Sequence, residues 1–182
     1  MQMQKVYVFI LKLFGWNYEL SEEIPDKSVI CVAPHTSNWD FIIGMIFYKS
    51  IGGKPHVLMK KEWFFFPLGY LLKSIGILPV DRKKRTSISE QMVELFHLKT
   101  NLQLAIAPEG TRSRTVQWKT GFYYIALNAG VPITLAFIDY AKKEVGVKKI
   151  FYPTGDVKKD IEDIKNYYKD VRAKHPKRFA IK

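Results

Sequence analysis

The sequence predicts a single α/β domain: a mostly parallel, twisted sheet with helices on both faces. Three observations predict it. Short apolar runs of strand length alternate with longer segments of helical period along the chain. A length of 182 residues suits one domain that can bury a real core. The composition, 47% hydrophobic and 25% charged, is that of an ordered globular protein, with no low-complexity stretch and no repeat at solenoid periods.

Taken in order, residues 1–27 form an N-terminal apolar segment ahead of a domain at 28–182. Val6 to Leu11 is apolar, Lys12 interrupts, and Leu13, Phe14, Gly15 and Trp16 follow. A helix over those residues spans roughly 16 Å, about half the hydrocarbon thickness of a bilayer, and cannot cross as a simple helix. No small-residue cleavage site follows, which argues against a signal peptide. Two placements stay open: in a membrane interface with Trp16 and Tyr18 at headgroup depth, or packed on the domain. Strands are expected at 28–33, 56–59, 76–80, 102–107, 131–137 and 147–152, and helices at 38–50, 67–74, 87–98, 120–128 and 156–173.

Several of these boundaries have a chemical cause. Ser37 followed by Asp40 makes a capping-box pattern at the start of the first domain helix. Gly130 follows the helix at 120–128, and Pro132 blocks its continuation. The last helix carries Asp156, Asp160, Glu162 and Asp163 early and Lys169, Arg172 and Lys174 late, which complements the helix dipole. Residues 63–80 are the most hydrophobic stretch, yet Pro67, Gly69, Lys73 and Gly76 break it as a membrane span. Core, acyl-chain wall and membrane-facing ridge all stay open for it.

Charge is the unusual bulk property. With 29 Lys and Arg against 17 Asp and Glu, the net charge of +12 attracts anions: phosphorylated substrates, acidic lipid headgroups, acidic carrier proteins or nucleic acid. No nucleic-acid module is recognisable, so a nucleic-acid partner is not expected. The single cysteine, Cys31, rules out an intrachain disulfide and a cysteine metal cluster, and it lies in an apolar run that suits a buried small residue in a reducing compartment.

Chemistry concentrates where strands end. His35 directly follows the apolar run at 28–33 and precedes a capped helix, with Asp40 five residues on. Neutral imidazole takes a proton near pH 7, and a carboxylate on its other nitrogen fixes the tautomer. In one helix the two side chains would diverge by about 140°; with His35 in the turn they can meet. The spacing alone is weak, since this composition gives about 0.2 such pairs by chance. Pro108-Glu109-Gly110-Thr111-Arg112-Ser113 follows another strand, and Glu-Gly-Thr-Arg is expected only about 0.001 times. Gly110 admits close backbone approach, Arg112 offers a fork for phosphate, and Glu109 accepts hydrogen bonds. Gly76 to Val80 leads to Arg82 at a third strand end, and Val131-Pro132-Ile133 opens a further strand. In a parallel sheet these ends share one edge, placing a base beside an anion-binding surface.

These blocks, in this order, resemble the glycerophospholipid acyltransferase family, which includes the lysophosphatidate acyltransferases. His35 and Asp40 match its His-x-x-x-x-Asp block, Gly76 through Arg82 its Gly-x-Ile/Leu-x-x-x-Arg block, Pro108 through Ser113 its Pro-Glu-Gly-Thr-Arg-Ser block, and Val131 to Ile133 its Val-Pro-Ile block. Lys119 and Gly121 also look like a family feature. The resemblance covers about residues 30–138. Pro34 and Ala107 depart from it, standing where the family often has Asn and Phe.

The resemblance implies phospholipid biosynthesis by acyl transfer from acyl-CoA or acyl carrier protein to a lysolipid hydroxyl, most simply lysophosphatidate. It implies His35 as base oriented by Asp40, with Arg82, Glu109, Gly110, Thr111 and Arg112 at the acceptor. It needs no metal or cofactor beyond the acyl donor. It implies peripheral contact with anionic membrane at the cytoplasmic face, with a cytoplasmic location as the alternative. The same chemistry on a phosphate-free lyso-aminolipid, and a non-catalytic basic membrane binder, remain the alternatives. A hydrolase is disfavoured because no Gly-x-Ser-x-Gly elbow is present.

Overall fold

In the computed structural model, residues 2–81 and 87–181 are described. A seven-stranded sheet runs in the order β1-β7-β6-β2-β5-β3-β4. Its strands are β1 (Asn17–Leu20), β2 (Lys27–Val32), β3 (Pro55–Lys60), β4 (Ile77–Val80), β5 (Leu102–Ile106), β6 (Ile133–Asp139) and β7 (Glu144–Phe151). The helices are α1 (Gln2–Leu13), α2 (Asn38–Ser50), α3 (Leu68–Ser74), α4 (Ile88–Leu98), α5 (Gly121–Ala129) and α6 (Val157–Asn166). Strands β6, β2, β5, β3 and β4 are mutually parallel, and among the described residues only β6 and β7 pair antiparallel. The mostly parallel sheet expected from the sequence is what forms.

Side-chain alternation along each strand builds two cores. Val29 and Cys31 face a layer that contains Phe96 of α4, Phe122 of α5 and Ile164 of α6. Ile30 faces the other way, with Ala136, Val145 and Val147, onto Leu11 of α1 and Phe47 of α2. Helices therefore cover both faces. Cys31 is fully buried, and burial pushes its thiol well above the ordinary range.

Two elements differ from expectation, and a third narrows what was left open. Residues 17–20 form a strand, β1, whose four residues are all exposed; it adds to the sheet edge by pairing with β7. The helix expected over 156–173 ends at Asn166, because the chain turns to bury Tyr168, whose hydroxyl donates to the Cys31 carbonyl at 2.8 Å. The aromatic stretch after β3 is not core: Trp63, Phe65, Phe66, Tyr70 and Leu71 point outward, with Phe66 84% exposed. No helix among the described residues is long and apolar enough to cross a membrane.

The β1–β7 pairing depends on a residue without a side chain. A methyl group on Gly146 would collide with the Glu19 carbonyl of β1. Gly146→Ala is expected to cost about 1–3 kcal/mol, a fall of roughly 3–10 °C in Tm measured by calorimetry. An unchanged Tm would mean that β1 can peel away at no cost.

Candidate active site

The site lies at the shared carboxyl edge of the parallel strands, between the ends of β2 and β5. β2 is the central strand and delivers residues 33–37 to that edge. Ser37 caps α2, with its hydroxyl accepting from an amide of the first turn, and Asp40 completes the capping box. Asp40 Oδ2 accepts from the Thr36 and Ser37 amides, both at 2.8 Å. The same oxygen lies 3.2 Å from His35 Nδ1. One carboxylate thus starts the helix, shapes the loop and orients the ring. With Nδ1 turned to Asp40, Nε2 is the ring nitrogen that this carboxylate leaves unengaged. The His35 side chain is 25% exposed and that of Asp40 is 1% exposed. Burial alone would raise the Asp40 carboxyl. Hydrogen bonds from His35, Tyr140 and the Ser37 and Thr36 backbone hold it below its ordinary range instead.

Glu109, at the end of β5, is brought to His35 by a different route. Both of its carboxylate oxygens accept from the His35 amide, at 3.1 and 3.2 Å, across 74 residues of sequence. Glu109 is 5% exposed and does not line the open hollow where the acceptor reading would put it. It sits beneath the loop that carries the imidazole. Burial pushes its carboxyl up to about 7, against the opposing pull of the His35 amide and ring. Gly110 takes a left-handed φ of 62°, which turns the chain outward after Glu109.

His35 is common to two hollows. One is apolar, about 160 Å³, and runs between the sheet and α2; Val32, Phe41, Gly44, Met45, Ala105 and Ala136 are among its walls. The other is open and polar, lined by Ala107, Gly110, Thr111, Arg112 and Ser113. Arg112 and Thr111 are exposed there. The structure therefore brings together His35, Asp40, Gly110, Thr111 and Arg112, with Glu109 behind them. Arg82 lies outside the described residues. No group of three or more His, Cys, Asp or Glu among the described residues is placed to hold a metal.

A histidine–aspartate pair thus stands at the sheet edge between an apolar hollow and an open polar one that carries Arg112. Residues 15–137 match the family model named Acyltransferase, about two thirds of the chain, and the protein belongs to that family. Its relatives include the 1-acyl-sn-glycerol-3-phosphate acyltransferase of Escherichia coli, 29% identical over 148 residues, covering 76% of this chain and 59% of that protein. The human 1-acyl-sn-glycerol-3-phosphate acyltransferase beta is 28% identical over 161 residues, covering 82% of this chain and 57% of that one. The chain thus spans less than two thirds of the length of these relatives. The crystal structure of the 1-acyl-sn-glycerophosphate (LPA) acyltransferase PlsC from Thermotoga maritima shares the fold, with a TM-score of 0.60 at 17% identity, covering 91% of this chain and 76% of that one.

Two supports escaped the sequence reading: the role of Glu109 under the His35 amide, and Tyr140, whose hydroxyl donates to Asp40 Oδ1 at 2.7 Å. The first has a measurable signature. A carboxyl raised from 4.5 to about 7 makes the folded chain hold a proton that the unfolded chain has already released. Stability from this group is therefore present at low pH and is lost as pH rises through that window. Urea midpoints followed from about pH 4.5 to about 7 should fall more steeply for the wild type than for Glu109→Gln; parallel slopes would place this carboxyl at its ordinary value.

Proposed function

We propose that the protein transfers a fatty acyl group from a thioester donor, acyl-CoA or acyl carrier protein, to the free hydroxyl of lysophosphatidate. The observation that carries this reading is the position of His35, held by Asp40 at the junction of an apolar cavity and a polar arginine hollow. The names of the relatives point to the same acceptor.

The apolar cavity receives the acyl chain of the donor, which sets the thioester carbonyl beside the imidazole. Arg112, with the Gly110–Thr111 backbone, holds the acceptor phosphate in the polar hollow as a charge-assisted pair. His35 Nε2 removes the proton from the acceptor hydroxyl. The oxygen attacks the thioester carbon, and the tetrahedral intermediate collapses to the ester as the carbon–sulfur bond breaks. The departing thiolate takes the proton back from the imidazolium. Asp40, ionised throughout, stabilises that transient cation without accepting its proton. No covalent enzyme intermediate is required.

The substrates are membrane lipids or are made beside them, and the surface suits peripheral contact with an anionic bilayer at its cytoplasmic face. Val6, Phe9, Leu13 and Phe14 of the α1 region are exposed, as are Trp39 and Ile42 of α2 and the aromatic ridge at 63–71. Phe14, Trp39 and Ile42 border one hollow, so the α1 and α2 contributions are continuous. A net charge of +12 adds attraction to acidic headgroups.

The test is transfer from labelled acyl-CoA to a panel of lysolipids, read by product mass. His35→Ala is expected to lose about 10²–10⁴-fold in kcat while staying folded. Arg112→Ala should raise KM for lysophosphatidate about tenfold and leave a phosphate-free lysolipid untouched. Release of free fatty acid at the same rate with and without acceptor would overturn the transferase reading.

A further inference from the structure

Asp40 is held from a direction that the family match does not reach. The matched region ends at residue 137. Just beyond it, Tyr140 donates its hydroxyl to Asp40 Oδ1 at 2.7 Å, across 100 residues of sequence. Oδ2 is already engaged by His35 and two amides, so Tyr140 supplies the remaining oxygen with a donor.

Tyr140 is itself fixed on several sides. Its amide donates to the Arg172 carbonyl at 2.9 Å. Its ring meets Trp16 edge-on, with centroids 5.1 Å apart. Lys174 Nζ lies 5.9 Å from that ring's centroid and 5.0 Å from that of Trp39. The His175 amide donates to Thr36 Oγ1 at 3.2 Å, next to the histidine. One stretch of chain near the C-terminus, residues 172–175, therefore grips both Tyr140 and the loop that carries His35.

We infer that Tyr140 is a positioning residue for acyl transfer: its hydroxyl locks the Asp40 carboxylate so that Oδ2 stays on His35 Nδ1, and residues 172–175 lock Tyr140 in turn. The physical reason is that a carboxylate can turn about its Cβ–Cγ bond. A buried oxygen without a donor is costly, so an unsupported Oδ1 would compete for the loop amides and draw Oδ2 away from the ring. Burial, together with the adjacent Asp40 charge, keeps the phenol protonated, so it stays the donor. Asp40 also spans two tasks, capping α2 and orienting the base. The hydrogen bond from Tyr140 lets it do both in one orientation.

The inference rests on the reading of His35 as the base, and the experiment separates the two. With the full chain, acyl-CoA and lysophosphatidate, Tyr140→Phe is expected to lower kcat about tenfold, with KM for both substrates within about twofold of wild type. Combined with Asp40→Ala, it should cost nothing further, because Tyr140 acts only through that carboxylate. Lys174→Ala keeps the hydroxyl but frees one side of the ring. It is expected to lose about threefold in kcat, again only while Asp40 is present, and it decides the matter if Tyr140→Phe does not fold. An unchanged kcat, a loss confined to KM, or losses that add to that of Asp40→Ala would overturn the role. A His35→Ala protein that still transfers acyl groups sinks the base assignment itself. An inactive His35→Ala beside an unaffected Tyr140→Phe sinks only the role of Tyr140.

Discussion

The site depends on how one buried carboxylate is shared. Asp40 accepts from two backbone amides, an imidazole and a phenol, and each donor comes from a part of the chain that must be elsewhere for its own reasons. The amides belong to the turn leaving the central strand. The imidazole lines both hollows. The phenol follows a neighbouring strand. A buried carboxylate stays ionised only when its hydrogen bonds outweigh lost hydration, and here they do. Remove the folding of α2 or the return of the chain at Tyr140, and the imidazole loses its orientation as well.

The sheet makes that convergence possible. Parallel strands send their carboxyl ends to one edge, so a turn after β2 and a turn after β5 become neighbours although 74 residues separate His35 from Glu109. The pleat then assigns each face. Ile30 and Val32 look toward α2, where the apolar cavity opens, while Val29 and Cys31 build the opposite core. A strand of small and branched residues thus supports a channel on one side and solid packing on the other.

How much of this was readable in the residues follows from the range of each interaction. The cap of α2 is local, and Ser37 with Asp40 gave away both the start of that helix and the reach of Asp40 to His35. The strand edge was readable because strand-length runs that alternate with helical segments announce parallel strands. β1 was not, because its residues are exposed and polar as well as apolar, and only pairing with β7 makes them a strand. α6 was overextended because its charge order continues to Lys174, while Tyr168, a buried phenol with a distant carbonyl partner, ends it earlier. Tyr140 carried no signal at all, since a tyrosine after an apolar strand is unremarkable until tertiary folding sets it against Asp40.

The two carboxylates that flank His35 show how placement, not residue type, divides the work. Asp40 is the more buried side chain of the histidine–aspartate pair, yet its four donors hold it ionised below its ordinary range. Glu109 is also buried but receives from the His35 amide, and burial wins, lifting it toward neutrality. With Glu109 lifted, the charge that orients the ring is mainly that of Asp40, and the second carboxyl braces the backbone beneath it. Environments that push two acids apart are how one fold assigns separate duties to chemically identical groups. In this chain the separation follows the donors: an imidazole, a phenol and two amides for Asp40, backbone amides alone for Glu109.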